Sequence, residues 1–213
     1  MNDLPSEAPE PVVARRERDR RIREEDFLAA AERLFGERGF QDASMEEIAR
    51  EAGYATGTIY RYFESKQALF GELLHRRLAE YFGVVEAAVD GEAAPREKLR
   101  ALIRAKVRFF VMNQAFLRLY IGATDAMAGM PGACPGPQSE VRQKFLGLQR
   151  KVLEEAAAAG LFSPERQGWV GAAIIGLTNN VLLAALTDAS WVEEQELVDF
   201  FIRTMENGLW KAS

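Results

Sequence analysis

The spacing of apolar residues predicts that the first part of this 213-residue chain folds into short helices. In residues 26–38 apolar side chains recur at i, i+1, i+4, i+7 and i+8, which places them on one face of a helix. Gly39 can end that helix in the left-handed conformation. Ser44 and Glu47 have the spacing of a capping box, which predicts a short second helix. A short third helix is predicted over residues 56–63.

Longer helices are predicted in the rest of the chain. The segment 129–139 contains three glycines and three prolines, which is typical of a loop. Ser190 and Glu193 have capping-box spacing at the start of the last helix. We find no convincing strand pattern, so the predicted fold class is all-α. The predicted helices cover residues 65–88, 95–112, 115–128, 140–159, 164–187 and 191–210.

The stretch 168–187 contains no charged residue and is long enough to span a bilayer. Thr178, Asn179 and Asn180 lie in its middle, and no cluster of Lys or Arg flanks it. We therefore interpret it as a helix buried on nearly all sides, in a core or an interface, and expect no membrane association.

The composition, 48% hydrophobic and 28% charged, is ordinary for a globular protein. One cysteine, Cys134, and one histidine, His75, exclude an intrachain disulfide and a zinc site built from Cys and His. A reducing cytoplasm is the expected location. The chain has no nucleophile-elbow or phosphate-loop motif. We therefore expect no metal, no cofactor and no enzymatic activity.

The N-terminal 25 residues contain two kinds of segment. Residues 1–14, with three prolines and three acidic residues, are predicted to be disordered. Residues 15–25 hold six arginines among four acidic residues. This pattern is compatible with a solvated helical extension, or with a basic arm that reaches a DNA backbone or minor groove.

The segment 52–63 has local features of a DNA-binding surface, although the chain as a whole carries a net charge of −5. Its twelve residues include no acid. Glycine permits a close backbone approach, and hydroxyl, phenol and guanidinium groups can bind phosphates or base edges. Helix starts at Ser44 and Lys66 offer further phosphate sites. The predicted DNA-binding residues are Ser44, Thr56, Gly57, Thr58, Tyr60, Arg61, Tyr62 and Lys66.

This region resembles the TetR (tetracycline repressor) family of bacterial regulators over about residues 27–70. The family motif stands here as Gly53-Tyr54-Ala55-Thr56-Gly57-Thr58-Ile59-Tyr60-Arg61-Tyr62-Phe63, followed by Lys66 and Leu69. Upstream, Ala30, Leu34, Phe35, Gly39, Phe40, Ser44, Ile48, Ala49 and Ala52 also fit. Tyr54 stands where the family usually has Val, and Ala55 where Ser is frequent. The resemblance implies a helix-turn-helix at residues 25–70, after an arm at 1–24 that is disordered or partly helical.

The resemblance also implies that residues 71–213 form a ligand-binding and dimerisation domain. In the family the last two helices of each subunit form the dimer interface. The interface residues predicted here are Trp169, Ile174, Leu177, Asn180, Val181, Val198, Phe201, Ile202 and Met205. A pocket is implied in the middle helices, where aromatic and Met side chains would suit an apolar or aromatic ligand. An ordinary core is the alternative for these pocket candidates, which are Phe109, Phe110, Met112, Asn113, Phe116, Tyr120, Thr124 and Met127.

The expected function is that of a ligand-responsive transcriptional regulator, of the repressor type. It would bind a near-palindromic operator as a homodimer and be released by a small molecule. The alternative is a helical protein-interaction module whose helix-turn-helix binds no DNA.

Overall fold

In the computed structural model, the described backbone covers residues 12–127, 137–187 and 193–209, and the described side chains cover 13–120, 140, 143–185 and 193–208. Every described element is helical, which confirms the all-α fold class. The helices are α1 (Val12–Asp42), α2 (Met45–Glu51), α3 (Thr56–Ile59), α4 (Lys66–Asp90), α5 (Pro95–Met112), α6 (Gln114–Met127), α7 (Pro137–Ala158), α8 (Gln167–Thr187) and α9 (Glu194–Thr204). A 3-10 turn at Pro164–Arg166 precedes α8, and a π-helical turn at Met205–Leu209 follows α9.

Helix α1 is longer than the predicted first helix, because it begins at Val12 rather than near residue 26. The arginine-rich segment 15–25 is therefore a helical extension of α1. Gly39 leaves helical geometry at φ 83°, as predicted for the helix stop. Phe40 then folds back onto Phe35, with ring centroids 5.4 Å apart. These contacts fix the path of the chain from α1 into α2.

The capping box that opens α2 is present. The Glu47 N–H donates to Ser44 Oγ at 3.2 Å, and the Ser44 N–H donates to Glu47 Oε2 at 3.0 Å. Gly53, at φ 81°, makes the turn into α3. Helix α3 itself is shorter than predicted, and the chain continues to Phe63 in hydrogen-bonded turns. In these turns, the N–H groups of residues 61–63 donate to carbonyls of Thr58 and Ile59.

The N-terminal helix α1 packs on α6, which lies in the middle of the chain. A Cβ added at Gly36 would lie 3.0 Å from the Cβ of Ala115 and 3.1 Å from its Cα, so the two helix backbones are close. Helix α4 continues without a break across the predicted domain boundary at residue 70 and packs against α5 and α7. The division into a 25–70 unit and a 71–213 unit remains a prediction.

Within the single chain, helix α8 is buried on one side only, so the core alone does not cover it; burial of its other side in an interface remains a prediction. The stretch Pro164–Ala185 is long and apolar enough to cross a membrane by length and composition, and 28% of its most apolar window is buried. One face packs into the chain and the other is uncovered. Four predicted interface residues are instead fully buried in the subunit's own core: Ile174, Val198, Phe201 and Met205. The apolar stripe of α9 therefore faces inward.

Two other predicted features differ or lie outside the described residues. Helix α9 begins at Glu194, later than predicted, with Glu193 at its N-cap. Ser190, the first residue of the predicted capping box, lies outside the described residues. Most of the predicted 1–14 tail, residues 129–136 of the predicted loop with Cys134, and Trp210 also lie outside the described residues. The side chains of Thr124 and Met127 lie outside them as well. Residues 137–139, predicted as loop, belong to α7.

Candidate nucleic-acid interface

The outer side of α3 is exposed while its inner side holds it to the domain. Ile59 is fully buried and anchors the short helix. Thr56, Gly57 and Arg61 are exposed, and Tyr60 is 47% exposed. The anchored backbone therefore presents a surface that combines hydroxyl, phenol and guanidinium groups with a glycine. Such a surface can contact phosphates and base edges.

Tyr60 contacts a carboxylate on the neighbouring helix. Its Oη donates to Glu46 Oε1 at 3.3 Å. Partial desolvation and the nearby Glu46 charge raise the pKa of the Tyr60 phenol. The phenol therefore stays neutral around pH 7 and can act as a hydrogen-bond donor to an anion.

Thr58 and Tyr62 are half-buried. The ring of Tyr62 packs on Phe27, with centroids 5.5 Å apart, so it also stabilises the contact between α1 and the turn after α3. Both residues remain predicted DNA contacts.

Ser44 and Lys66 hold the local fold together. The Ser44 hydroxyl caps α2 and donates to Glu47 Oε2 at 3.0 Å; hydrogen bonds from Ser44 lower the pKa of Glu47. Lys66 Nζ donates to the carbonyls of Gln41 and Ala43 at 3.0 and 2.9 Å, and lies 4.6 Å from the Phe40 ring centroid. Sequence reasoning missed this second role of Lys66, although carbonyls freed at a helix end commonly need such a donor.

Tyr54 ties the turn of the helix-turn-helix to α1. Its Oη donates to Asp26 Oδ2 at 2.6 Å, and its ring lies 5.0 Å from that of Phe27. The hydrogen bond to Asp26 raises the pKa of the Tyr54 phenol. The sequence analysis identified Tyr54 as a departure from the family motif, but no pattern indicated its partner, which lies 28 positions away.

A cleft of about 320 Å³ separates the N-terminal part of α1 from the turn after α3. We call it the arginine cleft. In the described part of the chain, none of its arginines forms an ion pair with a carboxylate, although Asp19 is among the lining residues. The lining residues are Arg16, Asp19, Arg20, Arg23, Arg61 and Tyr62.

The interior of the C-terminal helices contains an aromatic cluster. It joins four predicted pocket residues, Phe109, Phe110, Phe116 and Tyr120, to two that sequence reasoning missed, Tyr81 and Phe145. Neighbouring ring centroids lie 5.1–6.2 Å apart. Tyr81 belongs to the apolar stripe of α4, so its periodic position is the signal that could have found it.

Tyr81 Oη is buried and has no hydrogen-bond partner among the described residues. Burial raises the pKa of this phenol well above its ordinary value. A neutral hydroxyl is therefore available inside the aromatic cluster. Since buried polar groups are usually hydrogen-bonded, this hydroxyl is a candidate to bind a polar atom of a ligand.

Two predicted pocket residues lie outside the cluster. Met112 is 72% exposed at the end of α5, away from the aromatic cluster, and its place in a pocket remains a prediction. Asn113 ends α5, and its Nδ2 donates to the Phe109 carbonyl at 2.8 Å, so in this structure its amide supports the helix end. Both residues follow the last buried turn of the helix, where periodicity no longer indicates which way a side chain points.

The uncovered surface of α8 and α9 carries the remaining predicted interface residues. Trp169 is 74% exposed. Asn180 is exposed, and its Nδ2 donates back to the Gly176 carbonyl at 2.8 Å. Leu177, Val181 and Ile202 are half-buried. Phe200, 49% exposed on α9, was missed because its neighbour Phe201 fits the apolar stripe.

Comparison with known proteins finds similar sequences and similar folds among bacterial transcriptional regulators. Residues 27–73 match the profile of the family described as bacterial regulatory proteins, tetR family. The HTH-type transcriptional repressor KstR2 of Mycolicibacterium smegmatis is 29% identical over 147 residues, which is 67% of this chain and 69% of that protein. The fatty acid degradation regulator FadR of Bacillus halodurans has a similar fold, with a TM-score of 0.75 and 20% identity over 89% of this chain and 97% of that one.

A further solved structure has both a ligand and DNA. AibR, in complex with isovaleryl coenzyme A and operator DNA, superposes with a TM-score of 0.69 and 18% identity, covering 84% of this chain and 96% of that one. At this identity the likeness concerns the fold.

Proposed function

Because the chain belongs to the tetR family of bacterial regulatory proteins, we propose that it is a transcriptional repressor that binds operator DNA as a homodimer and leaves it when a small molecule binds. The observation that carries the proposal is the exposed side of α3, in a segment that contains no acidic residue and is anchored from inside by Ile59. An anchored helix with exposed polar groups can enter the major groove and read base edges. Arg61 would bind a guanine or a phosphate, and Tyr60 the backbone.

A dimer is required because one short recognition helix reads only a few base pairs. The uncovered faces of α8 and α9 support such a dimer. They carry Trp169 and Phe200, which leave apolar surface exposed in the single chain, and the exposed polar Asn180. Exposed apolar patches of this kind commonly mark protein interfaces. Two subunits that join through these helices would form a four-helix contact.

For the effector, we propose an acyl-coenzyme A thioester. AibR, which shares the fold, is a complex with isovaleryl coenzyme A. The aromatic cluster offers apolar surface for an acyl chain, and the buried Tyr81 hydroxyl offers a donor for the thioester carbonyl. A ligand that separates α5 from α6 at Phe110 and Phe116 would also act on α1, because α6 packs against it.

The proposal assigns this protein a binding function without catalysis, in the cytoplasm where the operator is. In the described part of the chain, no three His, Cys, Asp or Glu side chains cluster as a metal site would require. No observation favours the alternative of a protein-interaction module over operator binding.

Fluorescence anisotropy with a duplex from the region upstream of the gene, or with duplexes selected from a random pool, tests DNA binding. We expect two protomers per site. Tyr60→Ala and Arg61→Ala should each weaken binding about tenfold or more, since one good base or phosphate contact is worth about 1–3 kcal/mol. Arg150→Ala, which removes an exposed charge on α7, is the matched control. Failure of selection to yield any bound duplex would refute the proposal.

The effector is tested by adding acyl-coenzyme A thioesters of increasing chain length to the preformed complex, with free coenzyme A as the control. Thioesters should release the DNA and free coenzyme A should not. Tyr81→Phe should keep DNA affinity and weaken release, whereas exposed Met112→Ala should change neither. Release by free coenzyme A at equal concentration would contradict the assignment of the acyl chain to the aromatic cluster.

A further inference from the structure

The arginine cleft concentrates positive charge beside the proposed reading surface. It is lined by Arg16, Arg20 and Arg23 from α1 and by Arg61 from the turn after α3, with Asp19 as its only acidic lining residue. The α1 arginines stand at i, i+4 and i+7, which places them on one face of the helix. The cleft therefore combines cations from two elements that are distant in sequence.

These four guanidinium groups are available to an anion. None of them forms an ion pair with a carboxylate in the described part of the chain, whereas the neighbouring Arg21 pairs with Glu25 at 3.8 Å. Guanidinium groups that surround one open cleft repel each other, and a bound anion would reduce that repulsion. Arginine is suited to phosphate because its planar fork can donate two parallel hydrogen bonds.

The position of the cleft indicates which anion it meets. Arg61 and Tyr62 immediately follow the exposed part of α3. When a recognition helix lies in the major groove, the residues that flank it face the sugar–phosphate backbone at the edge of the groove. The α1 extension is held to this region by Tyr54, through its hydrogen bond to Asp26, so the cleft has a fixed place relative to α3.

We propose that the arginine cleft binds a backbone phosphate of the DNA that flanks each operator half-site, independently of sequence. This inference rests on the proposed operator binding and adds a second contact region to it. Arg16, Arg20 and Arg23 would increase affinity and its dependence on salt, while α3 determines which sequence is bound.

The test compares adjacent arginines on one helix. Arg20→Gln removes a cleft residue, and Arg21→Gln, which removes a charge outside the cleft, is the matched control. Operator affinity is measured by anisotropy from 50 to 300 mM NaCl. Each lost phosphate contact should reduce the slope of log affinity against log salt by about 0.9, so a dimer with two altered clefts should lose about 1.8. Arg21→Gln should leave the slope close to that of the unaltered protein.

A second experiment tests whether the phosphate belongs to the flanking DNA. On duplexes shortened to remove the flanking base pairs, Arg20→Gln and the unaltered protein should bind equally. Equal salt slopes for Arg20→Gln and Arg21→Gln on the long duplex would overturn the inference and leave operator binding intact. A difference that persists on the short duplex would also overturn it. If the unaltered protein binds no operator, the proposed function fails and the inference fails with it.

Discussion

Lys106 is a cationic residue at a core position of α5. It is 5% exposed and lies on the helix face that also carries Leu99, Ile103 and Phe110, all of them buried. No carboxylate pairs with it among the described residues. Burial alone lowers the pKa of the Lys106 ammonium from 10.5 to about 7. We predict that replacing Lys106 with Met stabilises the protein at neutral pH.

The size and sign of the effect follow from the two pKa values of Lys106. Between pH 7 and 10.5 the unfolded chain holds a proton on this amine that the folded chain releases, so stability rises with pH in that window. Because one pKa unit corresponds to 1.36 kcal/mol, the charged amine destabilises the fold by about 4–5 kcal/mol at or below pH 7. At pH 9.5 the destabilisation falls to about 1 kcal/mol.

Urea unfolding followed by circular dichroism from pH 6.5 to 9.5, at one protein concentration, measures this difference. The free energy of unfolding of Lys106→Met should exceed that of the unaltered protein by several kcal/mol at pH 7. The difference should narrow by about 2–3 kcal/mol between pH 7.5 and 9.5. Lys151→Met, which removes an exposed amine on α7, should show neither effect. Parallel pH profiles for Lys106→Met and the unaltered protein would refute the reasoning. Lower stability of Lys106→Met at pH 7 would do the same.

Three further predictions concern contacts that position the helices. Gly36→Ala should lower the free energy of unfolding, measured by thermal denaturation, by about 1–3 kcal/mol, because the new Cβ would press on Ala115 of α6. Adding Ala115→Gly should restore only part of the loss, since the backbone of residue 115 is also close. Unchanged stability of Gly36→Ala alone would contradict the contact. Tyr54→Phe should cost about 1–3 kcal/mol in denaturant unfolding, because Asp26 loses its donor; an unchanged midpoint would show that the bond does not stabilise the fold. Phe200→Arg should shift sedimentation towards monomer and weaken operator binding without loss of helicity; an unaltered dimer would place the interface elsewhere.

Much of the fold could be predicted because local signals determine it. The predicted helix stops at Gly39 and Gly53 and the Ser44 capping box depend on residues a few positions apart, and the structure contains all three. The long helices follow from apolar periodicity. The predicted extent of α3 was too long, and the sequence left open whether residues 15–25 extend α1, since a hydrogen-bonded turn and an arginine-rich segment have no apolar stripe that marks their limits.

The faces of α8 and α9 could be predicted only in part. Periodicity identifies an apolar stripe but does not indicate whether the same chain or a second subunit covers it. Val198 and Phe201 therefore fitted an interface as well as they fit the core, where the structure places them. Partners distant in sequence, such as Asp26 for Tyr54, leave no periodic trace. The buried position of Lys106 could have been found, because it continues the apolar series of Leu99, Ile103 and Phe110.

Helix α1 runs without interruption from Val12 to Gly39, and near its C-terminal end Gly36 is in close contact with Ala115. A rotation of the helix about this contact would displace its N-terminal end most. Arg16 lies twenty residues from Gly36, which is about 30 Å at 1.5 Å per residue. A tilt of α1 by about 5° at Gly36 would move Arg16 by about 2.6 Å, which is close to the donor–acceptor distance of a hydrogen bond. A change of α6 too small to disturb the core would then be enlarged at the far end of α1, and the turn before α3, tied to α1 by the Tyr54–Asp26 hydrogen bond, would move with it.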